Sequence, residues 1–173
     1  MKGFFAVGVE GVSKARNLGA VMRTAHAFGA SFIFSINAEH RARDLFQTDT
    51  AKTSLNLPYY AWNTHEEMVL PDGCQIVGVE LTDDAVELPS FRHPRQAAYI
   101  MGPERGSLSP ELLDRCAHVV KIPTKFCVNL SVAAAVVLYD RDLTLGSHAP
   151  RPIMPGGAKD EREHVWGAPK KRT

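Results

Sequence analysis

Short apolar runs without strict alternation recur along the chain, at 4–9 (FFAVGV), 31–35 (SFIFS), 75–80 (QIVGVE), 98–101 (AYIM) and 118–122 (HVVKI). A strand with one wet face alternates, whereas a strand covered on both faces reads as a nearly continuous apolar run, so these segments predict buried strands. Between the first two runs, Leu18, Val21, Met22, Ala25 and Phe28 recur at spacings of three and four and Gly29 ends the stretch. That spacing predicts a one-faced helix with a glycine stop. The segments 65–70 and 110–116 read as helix starts, the second with Ser109 as N-cap, Pro110 at the first helical position and Glu111 in the first turn. Strands alternating with helices predict an α/β fold with a mostly parallel sheet flanked by helices.

The segment 128–139 (VNLSVAAAVVLY) is apolar nearly all round. A helix of that kind belongs inside the protein or at a subunit interface, which brings an oligomer into view. Beyond about Leu145 the pattern changes to proline, glycine and charge with little to bury, so 1–146 is expected to be one domain and 147–173 a mobile tail. Trp166 in that tail is either a docking point or without a role.

Composition narrows the setting. A chain of 173 residues suits one sizeable core. No run approaches the roughly 20 apolar residues of a membrane helix, so no membrane partner is expected. The apolar start stops at Glu10 and continues into charge, as a strand does and a signal peptide does not. Cys74, Cys116 and Cys127 are odd in number and lack CxxC spacing, which points to reduced thiols in a cytoplasm. The formal charge of +1 is uninformative, but basic residues cluster at Lys14, Arg16 and Arg23, at His40, Arg41 and Arg43, and at Arg92, His93 and Arg95. Each cluster is either a nucleic-acid contact or a solvated face.

In an open α/β sheet the ligand crevice lies beyond the carboxyl ends of the strands, so the residues after each run carry the chemistry. After the first run, Asn17 and Arg23 are polar positions on an otherwise core-facing helix. GPERGSLSP follows 98–101, and IPTKFCVNLS follows 118–122. In GPERGS, Gly102 and Gly106 permit close approach and positive φ around the stiff Pro103, which suits either a backbone cradle for a flat ligand or an ordinary turn. Glu104 within it has reach and little cover, for a ligand or for Arg105. GxGxxG after the first strand, GxxxxGK[ST], GxSxG and HExxH are all missing, and no Cys–His pairing suits a metal.

NLGAVMRTAHAFGA, YIMGPERGSLSPELL and VKIPTKFCVNLSVAAAVVLYD, in this order and spacing, resemble the three motifs of the SpoU-like (TrmH) RNA 2′-O-methyltransferases of the SPOUT superfamily. The resemblance runs from about Val7 to Tyr139. It implies a C-terminal deep trefoil knot, S-adenosylmethionine held in the knotted loops, and a homodimer that completes the site. It also implies ribose 2′-hydroxyl methylation of an RNA, tRNA ahead of rRNA, without a metal.

Residue by residue, the resemblance makes Asn17, Arg23, Glu104 and Asn129 the catalytic candidates. It makes Leu81, Met101, Gly102, Pro103, Glu104, Gly106, Ile122, Cys127 and Val128 the cofactor contacts. Lys14 and Arg16 join Arg23 as RNA contacts. Cys127 stands where many members have serine, so a hydroxyl role does not carry over to that position. A guanidinium stays protonated at physiological pH, so Arg23 is read first as a group that binds phosphate and steadies developing negative charge, and second as the base. Two rivals accompany this reading: an RNA-binding protein on the same fold without turnover, and a base-methylating relative.

Overall fold

The computed structural model describes residues 3–38, 57–103, 106–153 and 155–156. Glu104, the cluster His40, Arg41 and Arg43, and Trp166 lie outside the described residues.

Seven strands build one sheet: β1 Phe4–Glu10, β2 Phe32–Ile36, β3 Tyr59–Trp62, β4 Gln75–Val79, β5 Val86–Glu87, β6 Gln96–Met101 and β7 His118–Lys121. Their order is β3-β2-β1-β6-β4-β7-β5, and every pairing is parallel. Three α-helices are described, α1 Ala15–Ala27, α2 Pro110–Asp114 and α3 Leu130–Leu145. Each apolar run became a strand, displaced by a residue or two at its ends. The unforeseen strands, β3 and β5, are the two edges of the sheet, and their side chains are largely exposed. An edge strand needs no apolar run to hold its place.

Side chains alternate between two cores, as the pleat requires. On one face Val7, Val9, Val77, Tyr99 and Met101 pack under Leu18, Val21, Met22 and Ala25 of α1 and Ala134, Val137 and Leu138 of α3. On the other, Ala6, Phe34, Ile36, Ile76, Ala98 and Ile100 pack with Met68, Leu108 and Leu112. Gly8 is bare so that the Phe34 ring can lie over β1, since a Cβ there would stand 2.3 Å from Phe34 Cε2.

Two expectations need correction. The segment 65–70 is not a helix: Met68 N donates to His65 O at 3.3 Å, Asn63 N donates to Glu67 Oε2 at 2.9 Å, and Arg115 donates to His65 O. Its apolar spacing serves to seat Met68, 4% exposed, in the second core. The last helix begins at Leu130 rather than Val128 and continues to Leu145, with Asn129 as its N-cap. It is also not buried all round within one chain, because Val132, Val136 and Tyr139 are 48%, 38% and 54% exposed. These positions, spaced four and three apart, lie along one side of α3.

At the amino end of the sheet a buried cation fastens α3 to the strands. Arg141, near the end of α3, donates to Pro94 O at 2.5 Å, Arg95 O at 2.9 Å and Tyr99 Oη at 3.2 Å, and its guanidinium lies 5.1 Å from the Phe5 ring centroid. His93 bridges Tyr99 Oη (2.6 Å, Nδ1) and Asp140 Oδ2 (2.9 Å, Nε2). A carboxylate cannot donate, so Nε2 carries the proton and Nδ1 of the neutral ring accepts from the phenol. Burial pushes His93 below the usual histidine range, partly offset by Asp140, and burial pushes the Tyr99 phenol up to about 12.

Candidate functional site

Beyond the carboxyl ends of the adjacent strands β6, β4 and β7 the chain opens into a cleft. Val79, Glu80 and Leu81 supply one wall, Met101, Gly102, Pro103 and Gly106 a second, and Lys121, Ile122, Thr124, Cys127 and Val128 a third, with Leu130 and Ala133 of α3 completing it. This is where a parallel sheet places a ligand, because successive crossovers leave a gap above neighbouring strands. All the described cofactor candidates, Leu81, Met101, Gly102, Pro103, Gly106, Ile122, Cys127 and Val128, line this one cleft.

The cleft has an apolar lining with few polar groups. Leu81 is 53% exposed and Val128 39%, so apolar surface faces solvent where a flat ligand would cover it. Two acidic side chains fix its walls. Glu80 accepts from Leu81 N through Oε1 and from Leu108 N through Oε2, both at 2.9 Å. Glu10, ending β1 and nearly buried, accepts from Ser109 N at 2.7 Å and from Ser109 Oγ at 2.6 Å. Leu108 and Ser109, which lead into α2, are therefore each held by a carboxylate, and such charge-assisted bonds are the strong ones. Gly106 takes a φ of 128°, and Gly102 gives close approach: a Cβ there would lie 2.9 Å from Leu108 N. On the third wall Thr124 Oγ1 donates to Phe126 O at 2.8 Å, and Lys121 Nζ reaches Thr82 O at 3.3 Å.

The remaining candidates stand apart from the cleft. Asn17 is half-buried in the first turn of α1 and Arg23 is exposed six residues further on, about 9 Å along the axis, and neither lines the cleft. Arg16 and Arg23, seven apart, share one exposed side of α1, with the exposed Lys14 at its N-cap. The entry to α1 does approach the cleft, since a Cβ on Gly11 would meet Pro103 Cβ at 3.7 Å. Asn129 borders the cleft, but its side-chain oxygen accepts from Ser131 N at 3.0 Å and Ser131 Oγ at 2.8 Å, which starts α3. Cys127 is exposed, whereas burial pushes the Cys116 thiol up to about 11.

Glu10, Glu80, Lys121 and Thr124 were not singled out from the sequence. A signal existed for three of them. Glu10, Glu80 and Lys121 are charges that end or directly follow buried apolar runs, where a polar group faces the crevice rather than the core.

Among the described residues no helix is long and apolar enough to cross a membrane, and no three His, Cys, Asp or Glu side chains gather as metal ligands would. Residues 5–139 match the sequence model of the SpoU rRNA Methylase family. A tRNA (guanosine(18)-2′-O)-methyltransferase of Escherichia coli (strain K12) is 27% identical over 141 residues, spanning 76% of this chain and 60% of that protein. The chain thus covers less than two thirds of that relative's length. The AdoMet-bound rRNA methyltransferase of Sinorhizobium meliloti superposes with a TM-score of 0.74 at 24% identity, over 85% of this chain and 59% of the other. A protein solved in connection with 2-OH methylation of C/U34 on tRNA superposes with a TM-score of 0.71 at 21% identity, over 84% of this chain and 98% of its own.

Proposed function

Because the chain belongs to the SpoU rRNA Methylase family, we propose that it methylates a ribose 2′-hydroxyl of RNA, tRNA ahead of rRNA, with S-adenosylmethionine as the methyl source in the cytoplasm. The observation that carries the reading is the meeting of the segments after β4, β6 and β7 in one cleft with apolar walls and a glycine approach. These residues fit a flat nucleoside: Leu81, Ile122, Val128 and Leu130 offer apolar faces, Gly102 leaves the backbone bare, and Glu80 and Lys121 stand at the polar margin. When bound there, the cofactor supplies an electrophilic methyl on a sulfonium.

The chain's own residues then have to bring a hydroxyl in line and let its proton leave. Arg23 binds the phosphate beside the target ribose and steadies the oxygen as it becomes negative, and in its second role takes the departing proton as the base. Asn17 orients that hydroxyl or Arg23 through a neutral hydrogen bond, and Glu104 orients the same partners. Asn129 keeps the third wall in place by starting α3. Lys14 and Arg16 extend the grip on RNA along α1.

Since Asn17 and Arg23 lie off the cleft of their own chain, the reading includes a homodimer in which a second copy completes the site. The stripe Val132, Val136 and Tyr139 is the surface it would cover. It continues from Val128 at the cleft mouth, so a partner seated on it stands next to the cofactor. The reading further takes 1–146 as the methyltransferase domain, with the C-terminal segment through β7 and α3 threaded as a deep trefoil knot, and 147–173 as a tail.

Nucleoside analysis of tRNA incubated with the protein and labelled cofactor tests the proposal. Label in ribose-methylated nucleotides is the expected result. Label in a methylated base would move the chain to the base-methylating class, and RNA binding without label would make it a binding protein. Arg23→Ala should abolish transfer while cofactor binding, measured by calorimetry, survives.

A further inference from the structure

A second hollow, this one lined by basic side chains, lies at the opposite end of the sheet from the proposed cofactor cleft. Gln75, Arg92, His93, Pro94, Arg95, His118, Thr144 and Leu145 enclose it, and no carboxylate is among them. Arg92 and Arg95 are exposed, and among the described residues neither guanidinium has a hydrogen-bond or ion-pair partner. The His118 ring joins them, with Nε2 2.9 Å from Gln75 Oε1. Since an amide oxygen only accepts, that bond fixes the ring with its other nitrogen unspent.

The backbone under these side chains is unusually firm for a loop. Arg141 takes the carbonyls of Pro94 and Arg95, and His93 is clamped between Tyr99 and Asp140. Phe91 packs edge-on against both His93 and His118, with ring centroids 5.0 Å and 5.4 Å apart. Buried interactions thus fix residues 91–95 while leaving two guanidiniums free, three residues apart. Two forks on a rigid backbone lose little freedom when they close on a tetrahedral anion, and guanidinium is the side chain whose geometry suits phosphate.

We infer that this hollow is a second RNA contact, which takes a backbone phosphodiester between Arg92, Arg95 and His118; the inference rests on the reading of the chain as an RNA methyltransferase. The distance suits that role. β6 begins at Gln96 beside the hollow and ends at Met101 in the cleft, a span of roughly 17 Å at about 3.3 Å per residue. An RNA strand crosses such a distance within a few nucleotides, so one molecule reaches both ends of the sheet. Phosphate contacts fix register without reading sequence.

The test is the affinity of labelled unfractionated tRNA for the full chain across a salt series, for the unaltered protein, R92A/R95A and R92K/R95K. One lost phosphate contact should weaken binding about tenfold at low salt and reduce the slope of log affinity against log salt by about 1. The lysine pair should keep the slope and lose part of the affinity. KM for tRNA should rise with kcat and cofactor affinity unchanged, and the melting temperature should stay within about 2 °C because neither side chain is tied to the fold. An alanine pair with unchanged affinity and slope overturns the contact and leaves the methyltransferase reading intact. Loss of inorganic phosphate binding in that pair, with tRNA affinity retained, makes the hollow a small-anion site and also overturns it. If the unaltered protein binds no tRNA, the RNA reading fails and this inference with it.

Discussion

Gly102→Ala probes the part of the site that depends most on a missing side chain. The added Cβ would stand 2.9 Å from Leu108 N, 3.2 Å from Glu80 Oε2 and 3.2 Å from Ser107 C. Two of these three atoms are backbone, so the clash cannot be relieved by turning a flexible side chain. Relief needs a retreat of about 0.5 Å, which stretches the Glu80 to Leu108 bond from 2.9 Å towards about 3.4 Å, where little of it remains. Losing a hydrogen bond to a charged acceptor costs about 1.5–3 kcal/mol, and overpacking adds about 1–3 kcal/mol. A destabilisation of about 2.5–6 kcal/mol in a chain of this size lowers Tm by about 5–24 °C. Cofactor affinity, read by calorimetry below the transition, should fall with it, because Leu81 and Gly102 both line the cleft and Glu80 holds Leu81 as well as Leu108. Glu80→Gln keeps the shape and weakens the same bond, so the double variant should lose less than the sum of the two single ones. A Tm within about 2 °C of the unaltered protein, or strict additivity of the pair, would refute this account of the loop.

Three further outcomes are expected. At mildly alkaline pH a thiol reagent should modify exposed Cys127 much faster than Cys116, whose thiol is pushed up to about 11, and S-adenosylmethionine should protect Cys127 if it occupies the cleft. Val136→Asp places a charge within the exposed stripe of α3, and sedimentation should then find monomers and assays no methylation; a stable dimer would remove that surface from the interface. Burial holds His93 below its unfolded pKa, so the unfolded chain takes up its proton first as the pH falls. Stability from this group is complete above the ordinary histidine range and is lost as pH drops from about 6.5 towards the folded value. Melting curves between pH 7 and 5 should show that decline, and His93→Gln should flatten it.

The strands of the sheet's interior were legible because burial on both faces leaves a mark in consecutive residues. β3 and β5 were not, since an edge strand is fixed by one neighbour and tolerates exposed polar or aromatic side chains. The start of α2 was legible from Ser109 and Pro110, because capping is local chemistry, and Ser109 Oγ indeed accepts from Leu112 N. The segment 65–70 misled for the complementary reason. Its spacing resembles a helix, but a single anchored residue, Met68, satisfies the core without one.

The same division runs through the site. Gly102, Pro103, Gly106, Ile122 and Cys127 sit in two loops, and a loop that must cradle a ligand shows its glycines and prolines in order along the chain. Contacts that close the site span long separations and leave no such trace. Glu10 reaches Ser109 across 99 residues, and His93 meets Asp140 across 47. Arg141 goes further, since a cation between Asp140 and Asp142, just past the apolar run of the helix, reads as the point where the helix leaves the core. It is instead nearly buried, and its charge is met by the carbonyls of Pro94 and Arg95 in one segment and of Phe4 in another. A buried guanidinium with three or more acceptors is costly to move, because any shift of α3 would strand it without partners. The amino end of the fold is therefore rigid for a reason the sequence hides, and that rigidity lets Arg92 and Arg95 remain unspent at its surface.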